Sequence, residues 1–390
     1  MNTVRVSLHD ADYPVHIAPG LLPRFGEFLA EALPKTPTRA FLLLDAGVPK
    51  HHVEALSASL DATGVRLTTH TIEPTERVKS IDTWAFACER LASTGQDRGE
   101  PVIALGGGIT GDIAGFVAGA YRRGVPVIQC PSTLLAMVDA SVGGKTGVNL
   151  TVKADHSTRL LKNLIGAFHQ PAGVLADTDL LDSLEPRHFR AGLAESIKHA
   201  CIATGIGDQD LLAWTEANLA DAVNRDAEAL SRLITRSVAL KAAVVQSDPR
   251  ETAPSSEGGR ALLNLGHTFA HAIETLPDLS PDPASPDQAP LLHGEAVALG
   301  LVAAYATAAH LELVDTGLCD RVMALLTRAG LPTRVAGLPD NDSLHAAMLH
   351  DKKTLRGTLR LVLPTGPGAA RVVDDPAIES VHAGLDAIRA

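Results

Sequence analysis

The sequence predicts two domains of different class: an α/β half with a mostly parallel sheet over residues 1–180, and an all-α half over 181–390. Three observations carry this. Before residue 180, short runs of β-branched and aliphatic residues alternate with stretches of helical spacing. After Arg187 the segments become long, rich in alanine and leucine, and helical. Between two of the early strand-like runs stands a cluster of glycines at a strand-to-helix turn.

In chain order, RAFLLLDAG, VRLTTHTIE, PVIALGGG and VPVIQCP are the strand candidates. Strands separated by helices pair in parallel and need cover on both faces, a Rossmann-like layering. In the second half, HFRAGLAESIKHACIA, DQDLLAWTEANLADAVN, AEALSRLITRSVALKAAVVQ, ALLNLGHTFAHAIETL and GEAVALGLVAAYATAAHLE are the helix candidates. Near the end, GTLRLVLPTG and GAARVVDD predict a small hairpin appended to them. The segment Leu279 to Pro290 is rich in proline and aspartate and predicts a flexible surface loop.

Composition narrows the function. A net charge of −11 with no long basic run excludes general nucleic-acid binding, so an anionic ligand needs a local basic pocket. The four cysteines are scattered, with no paired motif, and read as reduced core residues. No stretch is apolar for long enough to span a bilayer, and the N-terminus has no signal core. The expectation is a cytoplasmic chain without nucleic-acid or membrane partners.

The run from Pro101 to Asn149 is the most informative. Val102 to Leu105 ends in Gly106, Gly107 and Gly108, and a helix is predicted to open near Asp112. Consecutive glycines let backbone amides approach an anion, and a helix start adds partial positive charge. A second cluster, SVGGKTG, contains Lys145 and follows Asp139, which reads as buried. Two such loops make a dinucleotide or phosphate cradle. Asp45, after an early strand, is placed either to bind ribose hydroxyls or to cap a helix.

The helical half carries a metal constellation: Glu195 in GLAESIKH, His267 in LNLGHTFAH and His293 in LLHGEAV. Two imidazoles and a carboxylate leave coordination positions open, the pattern of a catalytic zinc site. His267 and His271 stand four apart on one helical face, and spacing does not say which would ligate. Lys198 follows Glu195 by one turn, and Lys241, Arg260 and Asn264 add polar groups suited to carboxylate or phosphate.

GGGITGDIAGF, YRRGV, PSTLLAMVDASVGGKTGVN, KNLIGAFHQP, GLAESIKH, LLNLGHTFAHAIE, HGEAVALG and DKK occur in this order between Glu76 and Lys353. In these blocks the chain resembles the 3-dehydroquinate synthase family of sugar-phosphate cyclases. The resemblance implies a metal, zinc or cobalt, on Glu195, His267 and His293, with His271 left on the substrate side. It implies a substrate pocket of Arg123, Lys145, Lys162, Asn163, Lys198, Lys241, Arg260, Asn264, His271 and one of Lys352 or Lys353. For NAD it implies Asp45, Glu76, Lys79, Gly107, Gly108, Ile109, Gly111, Asp112, Ser132, Thr133, Leu135, Asp139, Lys145 and Lys162, with the loop Leu180, Leu181, Asp182 and Ser183.

The implied activity converts an anionic sugar phosphate, 3-deoxy-D-arabino-heptulosonate 7-phosphate, to 3-dehydroquinate and phosphate, with NAD regenerated and a homodimer as the assembly. Sister cyclases making 2-epi-5-epi-valiolone, 2-deoxy-scyllo-inosose or an amino analogue are the alternatives, as is a metal-dependent polyol or glycerol-phosphate dehydrogenase. The chain departs from the family pattern in places. Ser132 stands for a threonine, Gly47 for an asparagine and Leu161 for a glycine, and Leu150 to Leu161 reads as an insertion.

Overall fold

A seven-stranded sheet is the centre of the first of two compact units, Met1–Glu185 and Pro186–Ala390. The computed structural model describes residues 1–154, 157–252, 259–349 and 358–390. Lys352 and Lys353 therefore lie outside the described residues.

The strands of the first unit are β1 (Asn2–Ser7), β2 (Asp12–Ala18), β3 (Arg39–Asp45), β4 (Arg66–Ile72), β5 (Val102–Gly106), β6 (Val127–Pro131), β7 (Lys145–Ala154), β8 (Ser157–Phe168) and β9 (Gly173–Asp177). Their order in the sheet is β1-β2-β9-β6-β5-β3-β4, and every pair except β1–β2 is parallel. Each residue of β5, β6 and β9 is buried, as in a strand covered on both faces. The helices are α1 (Phe25–Ala32), α2 (Lys50–Ala62), α3 (Ile81–Ser93) and α4 (Gly108–Ala120). Ala87 and Leu91 of α3 and Ile113, Ala114 and Val117 of α4 pack with the apolar residues of β3, β5 and β6 in one core. The helix expected near Asp112 opens earlier, with Gly107 as its N-cap.

Strands β7 and β8 form a separate antiparallel hairpin that strand patterning did not predict. Val148 pairs with Ile165 and Leu150 with Leu161, so Asn149 alone opposes Lys162, Asn163 and Leu164. The bulge interrupts the hairpin after four pairs, and the described residues of the segment read as an insertion lie beyond it.

The second unit contains α5 (Pro186–Ala200), α6 (Leu211–Val223), α7 (Ala227–Ser247), α8 (His267–Ile273), α9 (His293–His310), α10 (Thr316–Arg328), α11 (Asn341–Leu349) and α12 (Ile378–Ala387). It also has a hairpin of β10 (Arg360–Gly366) and β11 (Ala369–Asp374). That hairpin is not an appendage: Leu361 and Leu363 are buried and β10 packs on α9. The loop from Leu279 to Pro290 is held locally, with Ser280 Oγ donating to the carbonyls of Asp282 and Ser285.

Helix α9 is buried around nearly its whole circumference and packs against α5, α8, α10 and α12. Two glycines set the approach. A Cβ on Gly294 would stand 1.9 Å from the Ala191 carbonyl oxygen of α5. One on Gly300 would stand 2.1 Å from the carbonyl oxygen of Gly266, next to α8. Gly266 has φ +77°, and there the single helix expected over ALLNLGHTFAHAIETL breaks into a 3-10 segment, Gly259–Asn264, and α8. Gly300→Ala is expected to lose about 1–3 kcal/mol by overpacking. A denaturant titration unchanged from wild type would contradict this backbone contact.

Candidate active site and metal centre

Helices α5, α8 and α9 each bring one ligand-bearing residue to a common point. Glu195 lies on the third turn of α5 and is completely buried. His267 opens α8 and His293 opens α9. The Nε2 atoms of His267 and His293 each lie 3.4 Å from the same oxygen, Oε1 of Glu195. One atom from each of the three residues lies within 4.8 Å of the others.

The opposite ring nitrogens are engaged. Nδ1 of His267 is 3.3 Å from the Leu265 carbonyl oxygen, and Nδ1 of His293 is 2.9 Å from Glu274 Oε2. Both partners are acceptors, so Nδ1 of each ring carries an N–H and Nε2 is the atom turned toward Glu195. Both oxygens of Glu195 are buried, Oε1 facing the two imidazoles and Oε2 the Lys198 ammonium. Two imidazole Nε2 atoms and a buried carboxylate oxygen converging on one point fit a divalent cation.

The charges agree with this. Burial alone would raise the Glu195 carboxyl, but the Lys198 ammonium, and then His267, outweigh it and hold the group well below the usual carboxylate range. Lys198 lies three residues on, against Glu195 Oε2, and is 1% exposed. Burial, and then the Lys198 charge, push His267 down to about 4, so its ring is neutral at pH 7. Burial pulls His293 down as well, but its hydrogen bonds to Glu195 and Glu274 prevail and raise it.

Other predicted residues of this unit gather nearby in part. His271 stands edge-on to His267, with ring centroids 5.7 Å apart. Lys241 is buried on α7, which packs on α5. Arg260 is buried, and its Nη1 donates to the Pro249 carbonyl over 2.8 Å. Arg260 and Asn264 lie on the 3-10 segment, not an α-helix. At three residues per turn, four residues do not return to one face. Asn264 Nδ2 is 3.5 Å from Glu251 Oε1.

In the first unit the glycine loop joins β5 to α4. A Cβ on Gly106 would stand 2.6 Å from Asp45 Cβ, and one on Gly111 2.8 Å from Gln129 Oε1. Asp45 ends β3, and its carboxylate accepts from the amides of Gly47 at 2.8 Å and Gly107 at 3.4 Å. It therefore does not cap α2, whose N-cap is Pro49. The Ser132 amide donates to the Gly106 carbonyl at 2.9 Å, and Thr133 Oγ1 accepts from Ala136. Leu135 precedes a single π-helical turn, Ala136–Ala140, that contains Asp139, half-buried and not buried as expected. Leu180 and Leu181 are buried in a 3-10 turn, whereas Asp182 and Ser183 are exposed.

Four more predicted residues meet through one network. Lys79 Nζ lies 2.5 Å from both Asp112 Oδ2 and Asn163 Oδ1. Asn149 Nδ2 donates to Glu76 Oε2 at 2.7 Å, while its Oδ1 accepts from the Asn163 amide at 2.9 Å. Gly143 and Gly144 have φ of +98° and +67°, which places exposed Lys145 at the start of β7. Ile109 is half-buried against the sheet core, and Gly108 lies against Ala140. Lys162 sits on the β8 bulge. Arg123 follows the C-terminal end of α4, and Gly107 caps the other end, so the helix separates them by about 20 Å.

Family models for the N-terminal and C-terminal domains of 3-dehydroquinate synthase match residues 69–191 and 192–354. A 3-dehydroquinate synthase of Brucella ovis is 42% identical over 377 residues, covering 96% of this chain and 93% of that protein. The chain belongs to the 3-dehydroquinate synthase family. Solved cyclases share the fold of this family member. A 2-epi-5-epi-valiolone synthase from Streptomyces hygroscopicus with NAD+ and Zn2+ bound superposes with a TM-score of 0.81 at 29% identity, over 98% of each chain. A 2-deoxy-scyllo-inosose synthase complexed with carbaglucose-6-phosphate, NAD+ and Co2+ gives 0.80 at 25% identity, over 98% of this chain and 99% of that one.

Two residues of this 3-dehydroquinate synthase family member escaped sequence reasoning. Glu274 orients His293, and its only signal was its place at the end of the LLNLGHTFAHAIE block. Asn149 likewise closes the SVGGKTGVN block. Glu274→Gln is expected to weaken zinc binding about 10- to 100-fold. His267→Ala is expected to remove the metal with little change in circular dichroism. Competition with a chromogenic chelator measures both, and full zinc content in the histidine variant would refute the assignment.

Proposed function

We propose that the chain is an NAD- and divalent-metal-dependent carbon–oxygen lyase that converts 3-deoxy-D-arabino-heptulosonate 7-phosphate to 3-dehydroquinate and phosphate. This is the cyclising step of the shikimate pathway towards chorismate and the aromatic amino acids. The observation that carries the reading is the convergence of Glu195, His267 and His293 beside buried Lys198, in a chain 42% identical to a 3-dehydroquinate synthase. The identity to the two sister cyclases, 29% and 25%, is lower.

Glu195, His267 and His293 would hold zinc or cobalt. Asp45, Gly107, Gly108, Asp112 and Lys79 would hold NAD. When bound, these groups supply polarisation of a ring hydroxyl and reversible hydride transfer. The chain's own residues do the rest. Lys198, Lys241 and Arg260 orient carboxylate and phosphate, and they favour departure of phosphate as its C–O bond breaks. His271, beside the metal ligand His267, is placed to move a proton during elimination and ring closure. With NAD bound, a hydride taken from the substrate would be given back to it, so oxidation and reduction would cancel over the cycle.

We further propose a cytoplasmic homodimer, which one sedimentation experiment tests. Among the described residues, no helix is long and apolar enough to cross a membrane.

With the heptulosonate phosphate, the enzyme is expected to release phosphate without net NADH. Accumulating NADH would instead identify a dehydrogenase, and faster turnover of sedoheptulose 7-phosphate, which lacks the carboxylate, a sister cyclase. Arg260 can meet a carboxylate with two parallel hydrogen bonds, and a lysine cannot reproduce that fork. Arg260→Lys is therefore expected to lose about 2–3 kcal/mol, roughly 30- to 150-fold in kcat/KM, with NAD affinity kept.

A further inference from the structure

Asn149 is 3% exposed, and its backbone amide and both side-chain polar atoms are committed. Its backbone amide donates to the Lys79 carbonyl at 2.8 Å, an isolated parallel bridge that ties β7 to the segment before α3. Its side-chain oxygen accepts from the amide of Asn163, which has φ +51°. Its side-chain nitrogen donates to Glu76 twice, to the carbonyl at 3.0 Å and to the carboxylate at 2.7 Å. Those partners dictate the residue type. The Asn163 amide requires an acceptor, and the two Glu76 oxygens require a donor. Aspartate would set a second carboxylate against Glu76, and leucine would leave buried polar groups unpaired.

The register gives this side chain its reach. Asn149 alone opposes Lys162, Asn163 and Leu164 on β8, so two residues of β8 have no partner to fix them in the ladder. Asparagine tolerates the left-handed region better than other residues with a side chain, but a neighbour is still needed to fix the conformation of an unladdered bulge. Asn149 is that neighbour. Asn163 can then present its oxygen to Lys79 Nζ, which also reaches Asp112.

We infer that Asn149 is a positioning residue for the proposed reaction: it locks the β8 bulge bearing Lys162 and Asn163 onto the Glu76–Lys79 segment, so one side chain sets cofactor-facing and substrate-facing groups together. The inference rests on the functional reading above. All the recorded polar contacts of Asn149 are to Lys79, Glu76 and Asn163. It acts through Asn163 and Glu76, and the metal ligands lie in the other compact unit.

The test compares Asn149→Ala, Asn149→Asp and Asn163→Ala with the double variant Asn149→Ala/Asn163→Ala, all in the full-length protein. Calorimetry with NAD alone is expected to give a Kd raised roughly ten-fold in Asn149→Ala and at least as much in Asn149→Asp. Zinc content should remain at the wild-type level in both. In kcat/KM with the heptulosonate phosphate, the double variant should fall no further than the worse single one, because both substitutions break one unit. A wild-type NAD Kd and kcat/KM in Asn149→Ala, even with a lowered melting temperature, would assign a merely structural role and overturn the inference. Losses that add in the double variant would overturn it too. If alanine prevents folding, the aspartate variant is read by the same two measurements. Failure of the wild-type enzyme to release phosphate would sink the proposed reaction instead, and the NAD calorimetry would still judge Asn149.

Discussion

The second unit is organised around a carboxylate with no access to water. Glu195 is 0% exposed, and an isolated ionised carboxylate at such a site would shed its charge by taking up a proton. It stays ionised because Lys198 is fixed against it on the same helix and His267 and His293 turn toward it. The arrangement stands only if three helices come close enough to face one another. That closeness depends on Gly294 and Gly300, where α9 touches the backbones of Ala191 and Gly266. Each contact lies beside a ligand: Gly294 follows His293, Gly266 precedes His267, and Ala191 is one turn before Glu195. Backbone contact thus holds the ligands where side-chain packing alone would leave slack.

Much of the fold was legible because its signals are local. The buried strands β3, β5 and β6 are continuous aliphatic runs ending in turn residues, and α5, α7 and α9 are long segments of strong helix formers. What escaped depends on pairing at a distance. Strands β7 and β8 contain glycines and lysines that read as loop, and only their mutual ladder makes them strands. The break at Gly266 was hidden for a similar reason. A periodic apolar pattern runs through it, and the left-handed glycine is required by the approach of Gly300 rather than by its neighbours in sequence.

The site divides along the same line. Family blocks marked the metal ligands, but helical spacing could not choose between His267 and His271. The structure separates them: His267 directs Nε2 at Glu195, and His271 meets only its ring edge among the ring contacts. Glu274 and Asn149 stayed invisible because they act through another residue, and a carboxylate or amide in a helix end or strand has no intrinsic mark of that role. Arg123 was named by its family block alone, and it lies at the end of α4 opposite the glycine loop.

A chain of net charge −11 can still be built to receive an anion, because the charges that count are those taken out of water. Lys79, Lys198, Lys241 and Arg260 are each no more than 6% exposed, and their fields are little screened. Burying them costs solvation, and the fold offsets that cost in two recorded cases with a carboxylate, Asp112 for Lys79 and Glu195 for Lys198. Each carboxylate compensates a buried ammonium, and Lys79 reaches Asn163 as well as Asp112. In the second unit the same carboxylate also faces two imidazoles, so the feature that holds Lys198 charged is the one that makes the metal site. Lys198 and the candidate metal site therefore share a single buried charge, that of Glu195.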